Sequence, residues 1–219
     1  MSSPAETQGL VEHVLTKEEQ AKLSPADVIA ALKGGNARFV AGELTVRNHK
    51  AQIRKAVASQ FPKAIVLSCI DSRVPVEDVF DRGIGDIFVA RIAGNFVNAD
   101  LLGSMEFACA LSGAKLVLVL GHDNCGAVKG AIDRVKFGNI TPMLEKIQPA
   151  VDAVPGYEGA RVSSNVEFVY SVTEENVRLN VERIRAGSIA LAQMERDQEI
   201  AIVGAIYDMD EGRVVFLGF

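Results

Sequence analysis

Three short aliphatic runs punctuate the middle of the chain, at residues 64–68, 87–92 and 115–120, each apolar without alternation. Unbroken hydrophobicity over so few residues predicts strands buried on both faces, as in a parallel sheet. Between them, segments near 75–81 and 99–112 carry helical spacing instead. Upstream, Ser24-Pro25 reads as an N-cap with proline at the first helical position. The helix it opens runs through Val28, Ile29, Leu32 and Phe39, with Gly34-Gly35 as a weak spot. Residues 50–60 predict another helix, with Ile53 and Val57 on one face, and Phe61-Pro62-Lys63 breaks it ahead of the first strand. Late in the chain, Glu174–Ala186 is helical with Val177, Val181 and Ile184 along one side. Glu199–Tyr207, a turn at 208–212 and Arg213–Phe219 then form a hairpin-like pair.

The order β-α-β-α-β, then helices, then two strands, predicts an α/β fold. It is a mostly parallel sheet of four strands plus an antiparallel C-terminal edge strand, because so short a last turn supports no parallel crossover. Helices cover both faces, and an N-terminal helical arm precedes the sheet. Residues 1–24 read as a polar N-terminal extension and 25–219 as a single domain, with no internal repeat or convincing linker.

Composition narrows the function classes. A net charge of −5 with scattered basic residues, such as Lys50, Arg54 and Lys55, argues against nucleic acid as a partner. No apolar stretch approaches the roughly 20 residues of a membrane span, and Met1–Gln20 lacks the apolar core of a signal peptide. A cytoplasmic protein is the expectation, or a periplasmic one if an export segment has been removed. Three cysteines, an odd count, argue against a disulfide framework. Cys109, in an apolar helical context, reads as core.

The candidate chemistry sits where two aliphatic runs end. Cys69 follows the first, in Ser68-Cys69-Ile70-Asp71-Ser72-Arg73; His122 and Cys125 follow the third, in Gly121-His122-Asp123-Asn124-Cys125-Gly126. Ligands gather at the carboxyl ends of strands in such sheets, so neighbouring strands would bring all three together. A Cys2His set suits Zn2+ and leaves a fourth tetrahedral position open. Singly, each residue reads as well as core, and Asp71-Ser72-Arg73 as a helix cap with a surface ion pair. Asp71 as fourth ligand would make a closed structural site. Gly83-Ile84-Gly85 precedes a strand and so is no dinucleotide fingerprint, and there is no Cys-x-x-Cys pair for thiol redox chemistry.

With Arg91-Ile92-Ala93-Gly94-Asn95 between them, these motifs resemble the β-class carbonic anhydrases, from about residue 25 to the C-terminus. The resemblance implies zinc on Cys69, His122 and Cys125, and reversible hydration of CO2 to bicarbonate and a proton through zinc-bound hydroxide. Asp71 would accept a hydrogen bond from the attacking oxygen, and Arg73 would keep Asp71 ionised and off the metal. By the same resemblance Gln60, Phe88, Ala93, Phe107 and Gly126 take pocket positions, some reaching across a dimer interface; Phe107 stands where many relatives carry Tyr. A homodimer or homotetramer is implied, with Phe39, Val40 and Leu44 as candidate anchors. The absence of Trp removes the usual form of the bicarbonate regulatory site known in one subgroup.

Two thiolates donate more electron density than imidazoles, so activity is expected to climb toward alkaline pH. His49 and His13 read as ordinary surface histidines, and Asp123 and Asn124 as loop-shaping residues. The rival readings are a CS2 or COS hydrolase on the same scaffold, and a non-catalytic zinc-stabilised binding protein capped by Asp71.

Overall fold

A computed structural model describes residues 9–154 and 156–218. Helices α1 (Lys17–Ala21), α2 (Pro25–Ala41) and α3 (His49–Ala56) precede β1 (Ala64–Ser68), α4 (Val76–Val79) and β2 (Ile87–Arg91). Next come α5 (Ala99–Glu106), a π-helical turn over Phe107–Leu111, β3 (Leu116–His122) and α6 (Gly126–Ile132). The chain continues through α7 (Ile140–Leu144), α8 (Gln148–Ala153), α9 (Val166–Gly187) and α10 (Ile189–Arg196) to β4 (Ala201–Tyr207) and β5 (Val214–Phe216). None of the described helices is long and apolar enough to cross a membrane.

The five strands lie in the order β2-β1-β3-β4-β5. They are parallel except for the antiparallel β4–β5 pair, which matches the mostly parallel sheet expected from the apolar runs and the antiparallel last strand expected from the short final turn. Alternate residues feed two cores. Ile65, Leu67, Val117 and Val119 face Met105, Val177, Val181 and Ile184; Val66, Leu116, Leu118 and Leu120 face Val28 and Leu32 of α2 and Val76, Val79 and Phe80. A third cluster, with Val128, Leu144, Ile147, Phe168 and Val172, gathers around Cys69 and Cys125.

Several expectations need correction. β2 is not buried on both faces: it is the edge strand and only half-buried, because it pairs with β1 alone among the described residues. The helix expected over 50–60 ends at Ala56, and Ile53 and Val57 lie exposed rather than on a packed face. The helix expected from Glu174 begins at Val166, where the Asn165 side chain accepts the Phe168 N–H as a cap. α2 runs unbroken through Gly34-Gly35. Gly35 instead allows a close crossing, since a Cβ there would stand 1.9 Å from the Phe80 carbonyl oxygen.

Of the polar extension, residues 1–8 lie outside the described residues, and the rest is tied down. Val11 bridges to Arg47, and the buried Gln20 amide donates to the carbonyls of Pro62 and Ser112 at 2.7 and 2.8 Å. A further anchor holds the segment before α3. Asp81, buried just beyond α4, accepts from Arg38 Nε and Arg47 Nη1, both at 2.6 Å, and from the Thr45 N–H and hydroxyl.

Candidate metal centre

β1 and β3 are neighbours, with Ser68 opposite Leu120, so Cys69, one residue on, emerges beside the end of β3 that carries His122. Asp123 and Asn124 then reverse the chain. Asp123 donates its N–H to the Tyr207 carbonyl and accepts the Met209 N–H, while Asn124 takes a left-handed φ of 51° that asparagine tolerates. Cys125 lands in extended conformation at the start of α6. One ligand atom from each of Cys69, His122 and Cys125 falls within 4.8 Å of the other two.

The donor set fits zinc on three counts. The Cys69 and Cys125 sulfurs are 4.0 Å apart, close to the ~3.8 Å that two bonds of ~2.3 Å subtend at a tetrahedral ion. His122 Nδ1 lies 2.7 Å from the Asp123 carbonyl; a carbonyl only accepts, so Nδ1 carries the proton and Nε2 bears the free lone pair. That Nε2 is buried and has no hydrogen-bond partner among the described residues, an orphaned acceptor that a cation would satisfy.

The sulfurs' electrostatics agree. Hydrogen bonds, from Cys125 foremost and also from the Gly94 N–H, outweigh burial and lower the Cys69 pKa to about 4. Cys125 is pushed up by its hydrogen bond to Cys69, by burial and by the negative charge beside it. Without a cation the pair shares one proton; a divalent ion would let both ionise.

Asp71 is turned away from this set. Its carboxylate takes Arg73 in a fork, Nε to Oδ1 at 2.9 Å and Nη2 to Oδ2 at 2.7 Å, with the Arg73 N–H also on Oδ1. The Arg73 guanidinium holds Asp71 well below the usual carboxylate range, so it is an ionised acceptor. Oδ2 still stands only 4.0 Å from His122 Nε2. Arg91, to which the sequence assigned no role, donates to the carbonyls of Cys69, Asp71 and Val74 and so pins the loop that carries the ligand and the Asp71–Arg73 pair.

Among the pocket candidates, Ala93 precedes Gly94, whose N–H meets the Cys69 sulfur, and Gly126 opens α6 with free space where a side chain would be. Both therefore adjoin the metal set. Phe88 pairs with Ile65, about 13 Å along the strands from Cys69 at ~3.3 Å per residue. It meets Phe107 edge-on at 6.4 Å, and the two line a groove of about 710 Å³ along β2 with Ile65, Leu101 and Ser104. Gln60 is exposed ahead of β1, at the opposite end of that strand from Cys69. Within one chain these three do not reach the metal set. His13 pairs with Glu19 at 3.1 Å, and His49 opens α3.

Together, fold and site define an α/β protein whose candidate metal ligands converge at the carboxyl ends of adjacent parallel strands. A sequence model of the carbonic anhydrase family matches residues 64–214. The chain is 36% identical over 197 residues to the carbonic anhydrase of Mycolicibacterium smegmatis, spanning 87% of this chain and 92% of that one. To carbonic anhydrase 2 of Mycobacterium tuberculosis it is 35% identical over 198 residues, with coverage of 88% and 92%. Among solved structures, a β-carbonic anhydrase of Sordaria macrospora, described as tetrameric, superposes with a TM-score of 0.69 at 20% identity, covering 89% of this chain and 98% of that one. The Coccomyxa β-carbonic anhydrase in complex with acetazolamide gives 0.67 at 25% identity, covering 88% and 81%. The chain belongs to the carbonic anhydrase family, in its β class.

Proposed function

We propose that the protein binds zinc at Cys69, His122 and Cys125 and catalyses the reversible hydration of CO2 to bicarbonate and a proton. The observation that carries this reading is the orphaned His122 Nε2 facing two sulfurs 4.0 Å apart, beside a carboxylate that Arg73 holds aside. Zinc, when bound, supplies the Lewis acidity that makes water a nucleophile near neutral pH. Asp71 Oδ2 accepts the proton-bearing side of the attacking oxygen and turns its lone pair toward the CO2 carbon. Arg73 keeps that carboxylate ionised and engaged, which disfavours the capped binding-protein reading. The Gly126 N–H, at the open start of α6, donates to an oxygen of the forming bicarbonate.

The site is completed by a second copy of the chain. The β2 edge, unpaired on its outer side among the described residues, the groove lined by Phe88 and Phe107, and the exposed Ile53 and Val57 support a homodimer or higher assembly in which Gln60, Phe88 and Phe107 act from across the interface.

Stopped-flow CO2 hydration across pH, with zinc content measured on the same sample, tests this. A zinc-loaded protein whose rate rises toward alkaline pH is expected. One zinc per chain with no hydration at any pH would refute it, and preferential turnover of CS2 or COS would move the substrate while keeping the site.

A further inference from the structure

Two asparagines stand in the apolar stripe of α9. Asn176 and Asn180 are almost fully buried, in line with Val172, Val177, Val181 and Ile184. Buried amides are costly unless their polar atoms are paired, and here the pairing runs in one direction. The Val97 N–H donates to Asn180 Oδ1 at 2.8 Å, which leaves the Asn180 nitrogen as donor. It donates to Asn176 Oδ1 at 3.0 Å and to the Asn176 carbonyl at 2.7 Å. Asn176 Nδ2 in turn donates to the Gly94 carbonyl at 2.9 Å, and the Gly94 N–H donates to Cys69 Sγ at 3.4 Å. The position favours glycine: its φ is 78°, and a Cβ there would lie 2.4 Å from Ile147 Cδ1.

We propose that Asn176, braced by Asn180, is a positioning residue for the metal centre: it holds the peptide that carries the Gly94 carbonyl, and through the Gly94 Cα it places the preceding peptide, whose Gly94 N–H bonds the Cys69 sulfur. The inference rests on the site's being a zinc site. A hydrogen bond to a ligating sulfur competes for its lone pairs, so the sulfur donates less to the metal and the metal stays a stronger Lewis acid. It also fixes the direction in which Cys69 presents the remaining lone pairs. In a centre with two thiolates, such a bond offsets part of the electron donation that would otherwise weaken water activation.

The test uses the full chain loaded with Co2+ or Zn2+, comparing wild type with Asn176→Leu, which keeps the branched heavy-atom shape but has no donor. Val181→Ala is the control, since it opens a cavity on the same buried side of α9 without touching the relay. In Asn176→Leu the sulfur-to-cobalt charge-transfer band should move to lower energy as the sulfur becomes the stronger donor. Zinc should be held about 10–100-fold less tightly against a chromophoric chelator, because Cys69 is no longer fixed in its ligating direction, which outweighs the stronger donation. Val181→Ala should move neither. An unmoved band and affinity in Asn176→Leu, or an equal shift in Val181→Ala, would overturn the proposal. Should Asn176→Leu not fold, wild type loaded with an NMR-active cadmium isotope decides: the Gly94 amide proton should show scalar coupling to the metal through the sulfur, and its absence overturns the relay. A wild-type chain that takes up neither cobalt nor zinc would remove the zinc reading and the relay together. A chain that binds both, with Asn176→Leu indistinguishable, removes the relay alone.

Discussion

Asp81→Asn offers the sharpest test of how the N-terminal arm is held to the sheet. Asp81 has a left-handed φ of 48°, which asparagine also adopts, so the substitution removes charge without straining the backbone. What is lost is the negative charge facing two guanidinium groups, Arg47 Nη1 on Oδ1 and Arg38 Nε on Oδ2, each at 2.6 Å, and one of the two oxygens that they share with the Thr45 N–H and hydroxyl. Breaking a buried ion pair costs about 3–5 kcal/mol. The Arg38 side chain is 40% exposed, so solvent screens its share, and about 3 kcal/mol is expected in all. For a chain of this size that lowers Tm by roughly 6–12 °C, measured by thermal and urea unfolding at matched protein concentration.

The pH dependence follows from the same carboxylate. Burial pushes its pKa up, but the Arg47, Thr45 and Arg38 donors outweigh it and hold the folded value well below the usual range. A depressed pKa stabilises fully above the unfolded value of about 3.9 and loses its effect as pH falls through the folded one. The gap between wild type and variant should therefore be flat from pH 8 to 5 and narrow only in stronger acid. A loss under about 1 kcal/mol, or a gap that narrows between pH 7 and 5, would refute the assignment.

Three further outcomes are expected. Arg73→Ala should retain zinc yet slow CO2 hydration by roughly 10–100-fold, the range typical of lost outer-sphere partners; unchanged turnover would show that Asp71 needs no partner. Gly35→Ala, ordinarily a gain of about 0.5–1 kcal/mol inside a helix, should instead destabilise by about 1–3 kcal/mol in urea titration, because its Cβ meets the Phe80 backbone oxygen at 1.9 Å; any gain would contradict that close crossing. Cys109, whose pKa burial pushes up to about 12, should stay unalkylated in folded, zinc-free protein at pH 8 while Cys69 reacts, as read by peptide mass spectrometry; preferential labelling of Cys109 would refute this.

The residue types of the metal set, and the strands that present two of its members, were legible in the chain itself. Continuous apolar runs declare strands covered on both sides, and Cys69 and His122 sit where two such runs end. The cap at Ser24 and the antiparallel final pair were equally legible, being local matters of side-chain reach and turn length. Periodicity states how much of a segment wants covering, however, and not which neighbour covers it. Only the strand order made β2 an edge, left Phe88 and Phe107 beside an open groove, and put Gln60 at the far end of β1 from Cys69. Only long-range packing gave meaning to Gly35 against Phe80, to Asp81 between two arginines, and to the two asparagines one turn apart on the apolar side of α9. Their only local signal was a pair of polar residues among buried valines, and a buried polar group is explained by its partners, which the three-dimensional fold supplies.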